Sequence, residues 1–100
     1  MKYDKLVRDR IPEIIEAKGE RCAYHVASDD EYRQKLYEKL GEEASELAIA
    51  RDASEVSDVL EVIDAIVELE GFSRNEIECV KREKFAKRGG FSKRYILEEA

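Results

Sequence analysis

A chain of 100 residues has the length of one small domain, and 43% hydrophobic side chains are enough for a globular core. Its 42% of charged side chains indicates a long, solvated helical surface. Its net charge of −6 argues against general binding to nucleic-acid polymers, which requires a basic surface. No apolar run approaches the roughly 20 residues of a membrane span, and the charged start "MKYDKLVRDR" lacks a signal-peptide core. Cys22 and Cys79 lack metal-ligand spacing, so a cytoplasmic protein with free thiols is expected.

The first predicted elements are a short helix and a strand. Pro12 suits the first turn of a helix, and "IPEIIEAKG" ends at Gly19, a typical C-terminal stop. The next segment, "RCAYHVA", combines β-forming residues with rough alternation, which predicts a short strand at about 21–26. His25 lies alone in this segment, where a structural role is favoured over a catalytic one.

The second and third helices are predicted from their start and stop signals. Ser28 and Glu31 form a capping box that opens the second helix. The triplet "DAS" at 52–54 is the expected break, with Ser54 as the cap of the third helix. Gly71 is expected to end that helix.

A fourth helix and a second strand complete the pattern. Ser73 and Glu76 form another capping box, and the helix it opens ends at the glycine pair 89–90. The tail "FSKRYILEE" predicts a strand at about 93–98, beside the first strand. We therefore expect a mainly α, four-helix fold in a single domain over 1–100.

Helical periodicity places two acids inside apolar stripes and two more at their edges. In the second helix Glu43 falls within the apolar arc, and Glu46 lies about 60° away at its rim. In the third helix Glu55 falls inside the stripe, and Asp58 again lies about 60° away. Other acids of the third helix share its polar face: Glu61, Asp64 and Glu68.

Carboxylates that converge on a core require a positive partner. An ionised carboxylate buried without one costs several kcal/mol, and neighbouring carboxylates repel each other. Hard oxygen ligands without His or Cys favour Mg²⁺ or Mn²⁺ over zinc. In a chain with 24 acids, however, such spacings also arise on solvated faces, and Glu55 can instead stabilise a helix N-terminus. Periodicity alone leaves both interpretations open.

The acidic segments resemble a known signature. "GEEASEL" followed by "SEVSDVLEVIDAI" is similar to the Glu-x-x-Glu and Glu-x-x-Asp pairs of the MazG-like, all-α nucleoside triphosphate pyrophosphohydrolase superfamily. "KLVRDRIPEIIEAKG" and "KREKFAKRGGF" resemble its compact phosphoribosyl-ATP pyrophosphohydrolase-like subgroup. The resemblance covers most of the chain and implies a four-helix MazG-like bundle.

The resemblance also assigns roles to individual acids. It implies that Glu43, Glu46, Glu55 and Asp58 bind Mg²⁺, with Mn²⁺ as a substitute, and Glu42 matches an extra acid that often precedes the first pair. Only eight residues separate Glu46 from Glu55, which is shorter than the usual connection. This spacing places Glu55 in the very first turn of its helix.

The reaction implied by the resemblance is hydrolysis of a nucleoside triphosphate between its α and β phosphates, giving a monophosphate and pyrophosphate. A house-cleaning role toward noncanonical nucleotides fits this chemistry. The metal would neutralise phosphate oxygens and orient water, with Glu46 as the candidate base. The alternatives are the phosphoribosyl-ATP reaction of histidine biosynthesis and a non-catalytic helical dimerisation module.

Basic residues near both ends of the chain are candidates for binding the triphosphate. In the fourth helix Lys84 points between Ile77 and Val80, which define the expected inward face. For Lys84, snorkelling past the core or pairing with a helix acid explains the position equally well. For the residues before the first helix, ordinary surface pairing does. The candidate substrate-binding residues are Lys5, Arg8, Lys84, Lys87 and Arg88.

The length of the predicted second helix leads to an expectation about the oligomeric state of the protein. A helix over 28–53 would be about 39 Å long, comparable to or longer than the width of a compact globule of this size. It would therefore expose apolar surface, so we expect a homodimer with active sites near the interface. A tetramer remains an alternative.

Overall fold

The computed structural model describes residues 4–100, and four α-helices occupy this range. The helices are α1 (Ile11–Ala17), α2 (Asp29–Ala50), α3 (Ala53–Glu70) and α4 (Arg74–Arg88). The predicted mainly α, four-helix fold is therefore confirmed. No described helix is long and apolar enough to cross a membrane.

Serine caps fix the starts of α2 and α4 where the sequence predicts them. Ser28 Oγ accepts a hydrogen bond from the backbone N–H of Glu31 at 3.3 Å. Ser73 Oγ accepts one from the backbone N–H of Glu76 at 3.2 Å. Each bond satisfies one of the N–H groups that the first helical turn leaves without a partner. The side chain of Glu31 contacts His25 Nε2 at 2.8 Å, and the structural role of that histidine stays a prediction.

The start of α3 differs from the prediction. Asp52 Oδ1 accepts a hydrogen bond from the backbone N–H of Glu55 at 2.9 Å, so Asp52 is the cap and Ser54 is not. The helix begins early because Arg51 adopts a left-handed conformation, with φ 55°, and reverses the chain directly after α2. Ser54 therefore already lies within the first turn of α3.

Neither predicted strand is formed, since residues 4–100 contain no strand at 21–26, at 93–98 or elsewhere. A strand needs a neighbour for its backbone N–H and C=O groups and a surface on which alternate side chains pack. The β-forming side chains of both segments are exposed instead, with Val26 at 91% and Ile96 at 85%. Their composition therefore reflects local propensity without the packing that makes a strand stable.

The chain divides into two compact units, Met1–Leu69 and Glu70–Ala100. The described part of the first contains α1, α2 and α3, and the second contains α4 and the segment that follows it. Whether they act as the single domain expected over 1–100 stays a prediction.

The core of the first unit lies between α2 and α3. Leu36 of α2 packs with Val62 and Ile66 of α3, and the partly buried side chains around them are Leu6, Tyr32, Leu40, Ala65 and Leu69. Except for Leu6 and Ala65, these residues belong to the apolar stripes that periodicity predicts. The two helices form an αα-hairpin joined by a two-residue connection, 51–52. This hairpin brings the C-terminal half of α2 beside the N-terminal half of α3.

Candidate metal centre

Three of the predicted metal ligands converge near the closed end of the α2–α3 hairpin. Glu43, Glu55 and Asp58 each place a carboxylate oxygen so that all three atoms lie within 4.8 Å of one another. The tight turn at Arg51 makes this possible despite the short connection between the acidic pairs. The hairpin therefore assembles acids from both helices at one place.

Two carboxylate oxygens of this cluster are buried and have no hydrogen-bond partner among the described residues: Glu43 Oε2 and Glu55 Oε2. Glu43 is only 7% exposed and is the buried charged residue of the described chain. Buried polar atoms in folded proteins nearly always have partners. A cluster of hard oxygen atoms with unused lone pairs is what a divalent cation would complete.

The cluster geometry fits Mg²⁺ or Mn²⁺. Ligand oxygens lie about 2.1 Å from Mg²⁺, so two oxygens on opposite sides of one ion are about 4.2 Å apart. Small side-chain adjustments would bring atoms now within 4.8 Å to this spacing. Carboxylates without His or Cys are also the donor set that these hard cations prefer.

The fourth predicted ligand, Glu46, stands apart from this set. Its side chain is exposed, and its oxygens are not among those that converge within 4.8 Å. It lies three residues after Glu43 on α2, close enough for its charge to act on Glu55. The structure therefore places Glu46 at the exposed edge of the cluster.

The effect of the neighbouring charges in the cluster appears as a raised pKa of Glu55. Burial raises the pKa of this carboxyl above its ordinary value of 4.5, and the charges of four neighbouring acids raise it further: Glu46, Asp58, Asp52 and Glu43. The ionised form of Glu55 is thus held in an unfavourable field. A bound cation would relieve this repulsion.

Lys39 is a neighbour of the cluster that the sequence reasoning missed. Its Nζ lies 3.4 Å from Glu43 Oε1 and 3.5 Å from Glu42 Oε1. The i,i+4 spacing from Lys39 to Glu43 on one helix was the signal that could have identified it. This lysine compensates part of the buried charge through Oε1 and leaves Glu43 Oε2 without a partner.

The basic residues before α1 both contact acids of the hairpin. Lys5 Nζ donates to Glu42 Oε1 at 3.2 Å, and Arg8 Nη2 donates to Asp58 Oδ1 at 2.7 Å. Partial burial raises the pKa of Glu42, but the hydrogen bond from Lys5 and the charges of Lys39 and Lys5 outweigh it, so this pKa lies below 4.5. Two of the five candidate substrate-binding residues therefore lie beside the acids.

The other candidates, Lys84, Lys87 and Arg88, belong to α4 in the second unit and are exposed. Ile77 and Val80, which the sequence predicts to face inward, are each 39% exposed, and their inward orientation stays a prediction. Periodicity identifies an apolar stripe on a helix but not what covers it. A role for these three basic residues at the acidic cluster stays a prediction.

Comparisons with known proteins show a similarity for this chain but assign no activity to it. No family model and no solved structure matches the chain. A curated relative from Mycolicibacterium smegmatis (strain ATCC 700084 / mc(2)155), described as an uncharacterized protein, is 52% identical over 52 residues. The match covers 50% of this chain and 53% of the relative, so the chain spans about half the length of the relative it matches.

Proposed function

We propose that this chain hydrolyses a nucleoside triphosphate between its α and β phosphates, using Mg²⁺ or Mn²⁺ held by Glu43, Glu55 and Asp58. The observation that carries the proposal is the convergence of these carboxylates, two of which keep a buried oxygen without a partner. The resemblance of the same positions to the MazG-like signature supports the class of substrate. A triphosphate also suits a metal centre, because its oxygens are hard ligands.

The acids divide between binding and proton transfer. Glu43 is the most buried acid of the cluster and contacts Lys39, so we assign it as a metal ligand. Glu43, Glu55 and Asp58 would hold the ion, which would supply neutralisation of the phosphate oxygens and orientation of a water molecule. Glu46, at the exposed edge, accepts the proton of this water as its oxygen attacks the α phosphorus and pyrophosphate leaves.

Cations of the protein complete the binding of the phosphates. Lys5 and Arg8 lie beside the acids and can contact phosphate oxygens that approach the metal. The basic residues of α4 are further candidates for the same role: Lys84, Lys87 and Arg88. A nucleotide is therefore the partner that we assign to this surface, and clearance of noncanonical nucleotides is the role that we propose.

We also assign a homodimer to the protein. Val56, Leu60 and Ile63 occupy one face of α3 at i, i+4 and i+7, and all three are exposed. A second copy would cover this apolar face, with a tetramer as the larger alternative. Cys22 and Cys79 are free thiols, which agrees with a reducing cytoplasm as the proposed location.

A panel of nucleotides with Mg²⁺ tests the activity. Standard and noncanonical triphosphates and phosphoribosyl-ATP would each be assayed for release of pyrophosphate. We expect release from at least one triphosphate and its loss when EDTA removes the metal. Release from phosphoribosyl-ATP alone would favour the histidine-pathway reaction instead. No release from any substrate, together with no Mn²⁺ binding, would leave the non-catalytic dimerisation module.

Substitutions in the cluster test the assignment of the ligands. Glu43→Gln and Glu55→Gln each remove a charged ligand, so we expect activity to fall by at least about 100-fold. Glu61→Gln is the matched control, because Glu61 is an exposed acid of α3 outside the converging set. Circular dichroism would confirm that the variants remain folded. Loss of activity in Glu61→Gln with retention in the other two variants would refute the assignment.

A further inference from the structure

We infer that Arg8 is a displaceable counter-ion of the metal centre, which holds Asp58 in the metal-free protein and releases it when a divalent cation binds. This inference rests on the proposed metal centre and specifies how that centre is regulated. Its starting point is the contact between Arg8 Nη2 and Asp58 Oδ1, at 2.7 Å. Asp58 is one of the three acids whose oxygens converge.

Arg8 and a metal ion compete for the same carboxylate. A guanidinium and a divalent cation bound to one carboxylate would lie only a few ångströms apart, well within the Debye length, and would repel each other. The metal ion carries twice the charge and binds oxygen directly at about 2.1 Å. Glu43 and Glu55 supply it with further oxygens, whereas Arg8 has only Asp58 among the contacts described. The metal ion therefore keeps the carboxylate and Arg8 leaves.

The surroundings of Arg8 allow its side chain to move while its backbone stays in place. The Arg8 side chain is 55% exposed, and exposed ion pairs are weak. Leu6 packs against the core and the Arg8 carbonyl accepts a hydrogen bond from Ile11 N–H at 3.0 Å, so the backbone on both sides is anchored. Lys39 differs, because it is only 17% exposed and belongs to the same helix as Glu43.

Release of Arg8 couples metal binding to anion binding. In the metal-free protein the guanidinium is occupied by Asp58. After metal binding the same planar group can donate two parallel hydrogen bonds to phosphate oxygens beside the ion. The protein then binds its metal first and gains the cation for the phosphate chain afterwards.

The affinity of Arg8→Gln for Mn²⁺ tests this competition. Titration calorimetry at constant ionic strength should show tighter binding than in the wild type, by about 3- to 5-fold, because the competitor is gone. Thermal unfolding should give the same result, because metal binding to the folded protein raises its Tm by an amount that depends on the affinity. The Tm of Arg8→Gln should be below that of the wild type in EDTA and equal to it in saturating Mn²⁺.

Lys5→Gln is the matched control, since it removes one positive charge from the same segment. Lys5 contacts Glu42, which is not among the three converging acids. We expect its Mn²⁺ affinity to change by less than about 2-fold, the size of a screened charge effect. Its Tm should differ from that of the wild type by the same amount with and without metal.

Three results would overturn the inference. Equal or weaker Mn²⁺ binding by Arg8→Gln would mean that Arg8 stays on Asp58 and positions it. An equal gain in Lys5→Gln would mean that only bulk charge matters. In both cases the metal centre itself would stand. Absence of Mn²⁺ binding by the wild-type chain would remove the metal centre and the inference together.

Discussion

At the residue scale, Glu43 Oε2 and Glu55 Oε2 are buried oxygens without a hydrogen-bond partner among the described residues. Lys39 compensates Glu43 through its other oxygen, while the field of four acids acts on Glu55. Without metal, the folded protein therefore keeps carboxylate charge where it is poorly solvated.

This cost predicts that Glu55→Gln stabilises the metal-free protein. Glutamine has nearly the same shape and no charge, so the Tm in EDTA at neutral pH should rise by a few degrees. Mn²⁺ should raise the Tm of the wild type if the proposed metal centre forms, and Glu55→Gln should lose this stabilisation. Glu61→Gln, the exposed control on α3, should change neither quantity. A lower Tm for Glu55→Gln would contradict the electrostatic argument.

The rise in Tm expected for Glu55→Gln should become smaller as the pH falls. Burial and neighbouring charges raise the pKa of Glu55, so the folded protein binds its proton more tightly than the unfolded chain does. The penalty is fully present above this raised pKa and disappears below the ordinary value of 4.5. The Tm difference between variant and wild type should therefore shrink as the pH falls through this window. Glu42 contributes with the opposite sign in both proteins, because its pKa is lowered.

At the scale of elements, the turn between α2 and α3 decides where the second acidic pair is placed. Arg51, in a left-handed conformation, ends α2, and Asp52 caps α3. Glu55 is thereby the third residue of α3, with its backbone N–H bound to Asp52. The cap of α3 and one acid of the converging cluster consequently lie in one short segment.

The Asp52 cap predicts that substitutions at Asp52 and Ser54 change the free energy of unfolding by different amounts. Asp52→Ala should lower the free energy of unfolding by about 1 kcal/mol, because an N–H of the first turn loses its acceptor. Ser54→Ala should cost less than about 0.5 kcal/mol, since Ser54 is not the cap. Asp52→Asn should retain most of the stability because its amide oxygen can accept the same bond. Urea unfolding would measure all three, and a larger loss in Ser54→Ala would refute the assignment.

At the scale of the whole molecule, few apolar side chains are buried and many are exposed. The buried hydrophobic residues of the described chain are Leu36, Val62, Ile66 and Val67. Small domains bury only a modest fraction of their surface, and association is a common supplement. The exposed face of α3, formed by Val56, Leu60 and Ile63, is the surface we assign to this contact.

The proposed dimer makes a prediction about Leu60, which is 54% exposed. Light scattering should give the mass of a dimer for the wild type at micromolar concentration. Leu60→Lys should shift it toward the monomer, because a lysine charge would be desolvated at the contact. Val26→Lys is the control, since Val26 is exposed on the segment before α2. A wild type that remains a monomer would contradict the assembly.

Local signals in the sequence determined the four helices and the acids worth considering. Capping serines, terminal glycines and helical periodicity act within a few residues, so they could be read directly and proved correct for α2 and α4. The same periodicity singled out Glu43 and Glu55, because an acid in an apolar stripe is unusual wherever the helix packs. The expected strands failed because strand formation depends on a partner that local composition does not specify.

Only the tertiary structure determined which charged side chains lie close to one another. The sequence ranked Glu46 with the metal ligands, but the hairpin turn leaves it exposed and brings Glu43, Glu55 and Asp58 together. The packing of the segment before α1, where Leu6 contacts the core, brings Arg8 to Asp58 across fifty positions of sequence. Distances between side chains depend on the turn that joins two helices and on the packing between them, which helical periodicity does not encode. The sequence thus determined which acids could bind a metal, and the α2–α3 hairpin determined which of them share a site.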